Sequence, residues 1–72
     1  AALAVREVEH VLQLILKLKN DGISVILISH RLNDIFEVSD SIIVLRQGTI
    51  VGDFLKKDTT MNEIVSFIVG AK

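Results

Sequence analysis

The chain has 72 residues, room for one small domain at most, and half of them are apolar. Eight basic against nine acidic residues leave a net charge of −1, which gives no electrostatic case for nucleic acid as a partner. The sequence contains no cysteine, no apolar run near the roughly 18 residues of a membrane span, and no signal-peptide pattern. A chain this short buries only about 60% of its unfolded surface, so so high an apolar content implies surface made to face something outside it. The opening "AALAV" reads like the inside of a longer sequence.

The first predicted element is a helix from Ala4 to Asn20. Ala4, Val8, Val11, Ile15 and Leu18 follow three-and-four spacing and are expected to line its buried face. Arg6, His10, Gln13, Lys17 and Asn20 fall on the opposite, solvated face. Gly22 is placed to end the helix in the left-handed conformation. Ile23 to Ser29 is short, rich in β-branched residues and apolar on both alternations, the pattern of a strand buried in a parallel sheet. A second helix is expected over Leu32 to Val38, then a second two-faced strand over Ile42 to Leu45. The dozen or so residues between these strands allow a right-handed parallel crossover.

Gln47-Gly48 divides two strand-like runs in the manner of a two-residue hairpin, which predicts Thr49 to Phe54 returning antiparallel beside Ile42 to Arg46. Asp40 should cap or turn the chain before the first of these runs, and Lys56 and Lys57 should lie in a polar loop. Thr60 with Glu63 forms a capping-box pattern. It opens a last helix from Met61 to Val69, with Ile64, Val65 and Ile68 as its apolar side and Gly70 after it. Phe36, Phe54 and Phe67 read as core. The order helix, strand, helix, strand, strand, helix is an α/β pattern with an antiparallel edge.

In open α/β sheets, ligands bind outside the carboxyl ends of parallel strands, and His30 is expected at such an end. An imidazole there can donate to a phosphate oxygen or accept from a water. The residues alone leave two readings open: a ligand-facing histidine, or a histidine packed at a strand–helix turn. His10 reads as solvated surface. The two histidines have no metal-ligand spacing and no cysteine joins them. Ser29 has no base and acid arranged with it in the manner of a nucleophile.

Taken in order, "AALA", then "SVILISH" followed by a short helix, then "VSDSIIVLRQGTIVG" resemble the end of an ABC transporter ATP-binding domain. With "EIVSFIVGA" closing the chain, the resemblance is finest to the ATPase subunits of bacterial importers of simple sugars of the ribose, xylose and galactose type. It implies that residues 1–72 are the C-terminal part of a RecA-like P-loop ATPase domain, from the D-loop onward. His30 would be the switch histidine of the H-loop, touching the γ-phosphate of ATP, and Ser29 would support the loop. Ala1, Ala2 and Leu3 would be D-loop residues at the interface with a second ATPase domain. Ala4 stands where many members carry an aspartate, so any polar contact of that aspartate is in doubt here.

The resemblance further implies ATP and Mg²⁺ as cofactors of the parent domain and no metal site within the chain. It implies the remaining N-terminal part of the domain and membrane permease subunits as partners, with a cytoplasmic location at the inner face of the membrane. No G-x-x-x-x-G-K-[ST] phosphate loop occurs in the 72 residues. The chain alone is therefore expected to bind no nucleotide tightly and to hydrolyse none. A strand with a missing neighbour exposes an edge, so self-association is expected too. Two alternatives stand beside this reading: a stand-alone α/β interaction or regulatory module without nucleotide chemistry, and a fragment of a non-transport ABC ATPase.

Overall fold

The computed structural model describes residues 5–71 and divides the chain into two compact units, one ending at Val38 and one beginning at Ser39. The first unit is built on α1, Val5–Asn20, and α2, Leu32–Val38. Helix α1 buries Leu12 and Ile15 against Val38, with Val8, Leu16 and Leu27 packed around them. Spacing alone places Val11 rather than Leu12 on this face, yet Val11 is 43% exposed. The partner helix explains the shift. Helix α2 has seven residues and covers only a narrow stripe, and the Lys19 ammonium donates to the Val38 carbonyl at its C-terminal end. The line 12, 15, 16, 19 therefore meets α2, and Val11 is turned aside. Arg6, His10, Gln13, Lys17 and Asn20 are all exposed, as their spacing requires.

Helix α1 ends in a Schellman motif. Gly22 has φ +83°, its N–H donates to the Lys19 carbonyl at 3.0 Å, and the Ile23 N–H donates to the Leu18 carbonyl at 2.9 Å. The two bonds satisfy carbonyls that the helix end would otherwise orphan.

Ile23 to Ser29 departs from expectation. The segment has no regular secondary structure, and the sheet found among the described residues has two strands only, β1, Ser41–Arg46, and β2, Thr49–Leu55. The parallel pair and its crossover are thus absent from the described residues. A strand is held by ladder hydrogen bonds to a neighbour, and this sheet provides none to Ile23–Ser29. What survives is the alternation: Leu27 is half-buried on the α1 core while Ile26 and Ile28 are 91% and 93% exposed.

In the second unit β1 and β2 pair antiparallel, Ile42 opposite Phe54 and Arg46 opposite Thr49. Gln47 and Gly48 both have positive φ, +52° and +77°, as a type I′ turn demands and as the Gln-Gly pair predicts. Between Val44 and Leu45 the register slips by one residue, leaving Val51 as a bulge. Helix α3, Met61–Val69, packs on the Ile42–Val44 face. Its anchor is Ile64, 1% exposed, a burial that contributes roughly 1.5–3 kcal/mol.

Phe67 supplies the second contact and meets the Phe54 ring edge-on, with centroids 5.1 Å apart at 61°. Val65 and Ile68, expected on the packed side, are largely exposed because the hairpin face meets α3 along the Ile64–Phe67 line. Thr60 caps α3 as expected, accepting the Glu63 N–H at 3.2 Å. The Glu63 carboxylate accepts the Thr59 hydroxyl at 2.6 Å. Lys56–Asp58 form a short 3₁₀ turn, and Asp40 sits at a bend whose carbonyl accepts the Lys56 N–H.

Candidate functional site

Ser29, His30 and Arg31 form the turn between the apolar segment and α2. The Ser29 hydroxyl oxygen accepts the Arg31 N–H at 3.0 Å, a side-chain turn that spans His30. The Arg31 carbonyl accepts the N–H groups of Asp34 and Ile35 at 3.1 and 3.2 Å, opening α2. The Arg31 Nε lies 3.2 Å from the Asp34 Oδ2. His30 itself is exposed, while the residues on either side of it are tied down.

This turn forms the polar lip of an open cleft of about 290 Å³. Ser29, His30, Arg31 and Asp34 stand at the lip, and Val8, Val11, Leu12 and Leu27 line the rest. Asp34 engages the Nε of Arg31, and the imidazole of His30 stands exposed beside it. A neutral imidazole offers one donor and one acceptor, so it can donate to a phosphate oxygen or accept from a water.

Ser29 and His30 both line this cleft. Ala1, Ala2, Leu3 and Ala4, read as D-loop positions, lie outside the described residues. His10 is on the solvated face of α1. Among the described residues no three His, Cys, Asp or Glu side chains come together to hold a metal ion. No helix among them is long and apolar enough to cross a membrane.

The Arg31–Asp34 pair escaped the reading by sequence, although its signal was present. An arginine beside the first turn of a helix, with an aspartate three residues on, is an i,i+3 ion-pair pattern.

Comparison with known proteins gives long matches at the level of sequence. The chain is 45% identical over 71 residues to the ribose import ATP-binding protein RbsA of Clostridium tetani, covering 99% of this chain and 14% of that protein. It is 43% identical over 70 residues to the galactose/methyl galactoside import ATP-binding protein MglA of Pasteurella multocida, covering 97% of this chain and 14% of the relative. Identity and coverage are the same against the xylose import ATP-binding protein XylG of Thermoanaerobacter pseudethanolicus. No family model matches the chain, and no solved structure matches it. The chain spans about one seventh of the length of these relatives. Over nearly its whole length, then, the chain is similar to one segment of the ATP-binding proteins of simple-sugar importers, the ABC transporter subunits that its motifs resemble.

Proposed function

We infer that the chain is a working segment of the ATP-binding subunit of an ABC importer for simple sugars, and that His30 contacts the γ-phosphate of bound ATP. The observation that carries this reading is the 45% identity to a ribose import ATP-binding protein across 99% of the chain. The turn supports it. His30 is exposed beside a cleft, on a segment held by Ser29, Arg31 and α2.

The residues present fit one part of a nucleotide site. His30 would donate to a phosphate oxygen or orient a water beside it, and Ser29 would hold the turn through the Arg31 N–H. Phosphoryl transfer draws most of its acceleration from positioning and charge stabilisation, and one positioned imidazole supplies a share of that. The described residues offer no set of carboxylates for Mg²⁺, and the sequence has no phosphate loop. On this reading both come from the rest of the ATP-binding subunit, and residues 1–72 are the C-terminal part of one RecA-like ATPase domain. Ala1, Ala2 and Leu3 would face a second ATPase domain. Permease subunits would hold the assembly at the cytoplasmic face of a membrane.

The test is a replacement. The matching segment of the Clostridium tetani ribose import ATP-binding protein is exchanged for this chain, and ATP hydrolysis is measured with and without His30→Ala. Hydrolysis should persist in the chimera and fall about 10²–10⁴-fold on removing the imidazole, the range of a positioned proton-handling group. A His30→Ala chimera hydrolysing at the unsubstituted rate would refute the role given to His30. The 72-residue chain alone should hydrolyse no ATP.

A further inference from the structure

The geometry points to Asp34 as a positioning residue for His30, acting through Arg31. Four contacts converge on Arg31, the residue that follows the histidine. Its N–H is taken by the Ser29 hydroxyl at 3.0 Å on the near side of His30. Its carbonyl takes the Asp34 and Ile35 N–H groups at 3.1 and 3.2 Å on the far side. Its guanidinium Nε reaches the Asp34 carboxylate at 3.2 Å. Arg31 and Asp34 are thus linked twice, once through backbone and once through side chains, and Ser29 closes the loop over His30. The histidine side chain is left exposed on a backbone that is fixed at both neighbours.

An i,i+3 ion pair between two exposed side chains holds little. This pair is different because the Asp34 side chain is only 13% exposed and shares the cleft with Val8, Leu12 and Leu27. A carboxylate largely withdrawn from water keeps a charged donor more firmly than a solvated one, and losing that donor strands its charge. Arg31, by contrast, is 51% exposed and could leave if Asp34 let go. The carboxylate is the fixed end of the clamp and the arginine is the link to the turn.

The functional side of this inference rests on the γ-phosphate role proposed for His30; the clamp itself does not. Two measurements separate them. In the 72-residue chain, backbone relaxation by NMR should give rigid order parameters near 0.85 for His30 and Arg31, falling toward 0.6 in Asp34→Asn. Asp34→Glu, which keeps the charge, should restore much of the rigidity. Unchanged order parameters in Asp34→Asn would overturn the clamp.

In the chimeric ribose import protein, Asp34→Asn should lower kcat about tenfold and leave KM for ATP unchanged. A misplaced catalytic group loses rate in this way while substrate affinity is kept. Asp34→Glu should recover most of that rate. An unaltered kcat, or equal losses for Asn and Glu, would overturn the positioning role. Full activity in His30→Ala would instead remove the phosphate reading and leave the clamp to be judged by the relaxation data.

Discussion

Gly52→Ala sets two effects of known size against each other. Gly52 does not adopt positive φ, so alanine fits its backbone. By restricting the unfolded chain, the exchange would contribute about 0.4–1 kcal/mol of stability. Space decides otherwise. A Cβ at residue 52 would lie 2.6 Å from Phe54 Cε2 and 3.5 Å from Phe67 Cδ1. The Phe54 ring is held against Phe67 by their edge-on contact, so yielding to the methyl would break that geometry as well. Overpacking of this kind costs about 1–3 kcal/mol.

The sum of the two is destabilisation of about 1 kcal/mol, which raises the population of the opened hairpin about fivefold. Amide hydrogen exchange at the β1–β2 ladder reads it directly, without assuming that the two units unfold together. The control is the same substitution in a Phe54→Leu background. Without the ring, Gly52→Ala should be neutral or slightly stabilising. Equal losses of protection in the two backgrounds would show that the cost does not come from the ring, and the packing argument for α3 on this face would fail.

Two further outcomes are expected. Thr60→Ala removes the acceptor of the Glu63 N–H and should cost about 0.5–2 kcal/mol, seen as faster exchange in the first turn of α3 with α1 unaffected. Ile26 and Ile28 are almost wholly exposed, so the chain should associate with itself at high concentration. Sedimentation should show Ile26→Lys/Ile28→Lys shifting it toward monomer, and an association unmoved by those charges would place the contact elsewhere.

Local rules carried well into the structure wherever a single short-range interaction decides the conformation. Gly22 ends α1, Gln47-Gly48 turns the hairpin and Thr60 caps α3, each by chemistry complete within a few residues. Helix faces carried less well, because periodicity marks a stripe but the partner selects its edge. The short α2 drew Leu12 in and left Val11 out, and the hairpin drew in Phe67 and left Val65 and Ile68 exposed. The same holds at the site. His30, expected at the carboxyl end of a parallel strand, instead follows a segment without a ladder, and the part proposed for Asp34 depends on its being withdrawn from water, which spacing does not reveal.

The apolar segment before His30 is the instructive failure. Its composition calls for a strand covered on both faces, yet the described residues give it no ladder. A strand is a property of a pair, so the pattern states a requirement that the described residues do not meet. Leu27 packs on the α1 core while Ile26 and Ile28 stand in solvent, which is the alternation of a strand with one face supplied. On the reading proposed above, the rest of the ATP-binding subunit supplies the other face and the ladder together with the phosphate loop. The apolar segment and the histidine would then be completed by the same part of that subunit. That links two observables: adding the rest of the ATP-binding subunit should protect the amides of Ile26 and Ile28 from exchange and bring His30 within reach of nucleotide, whereas self-association should give the protection alone.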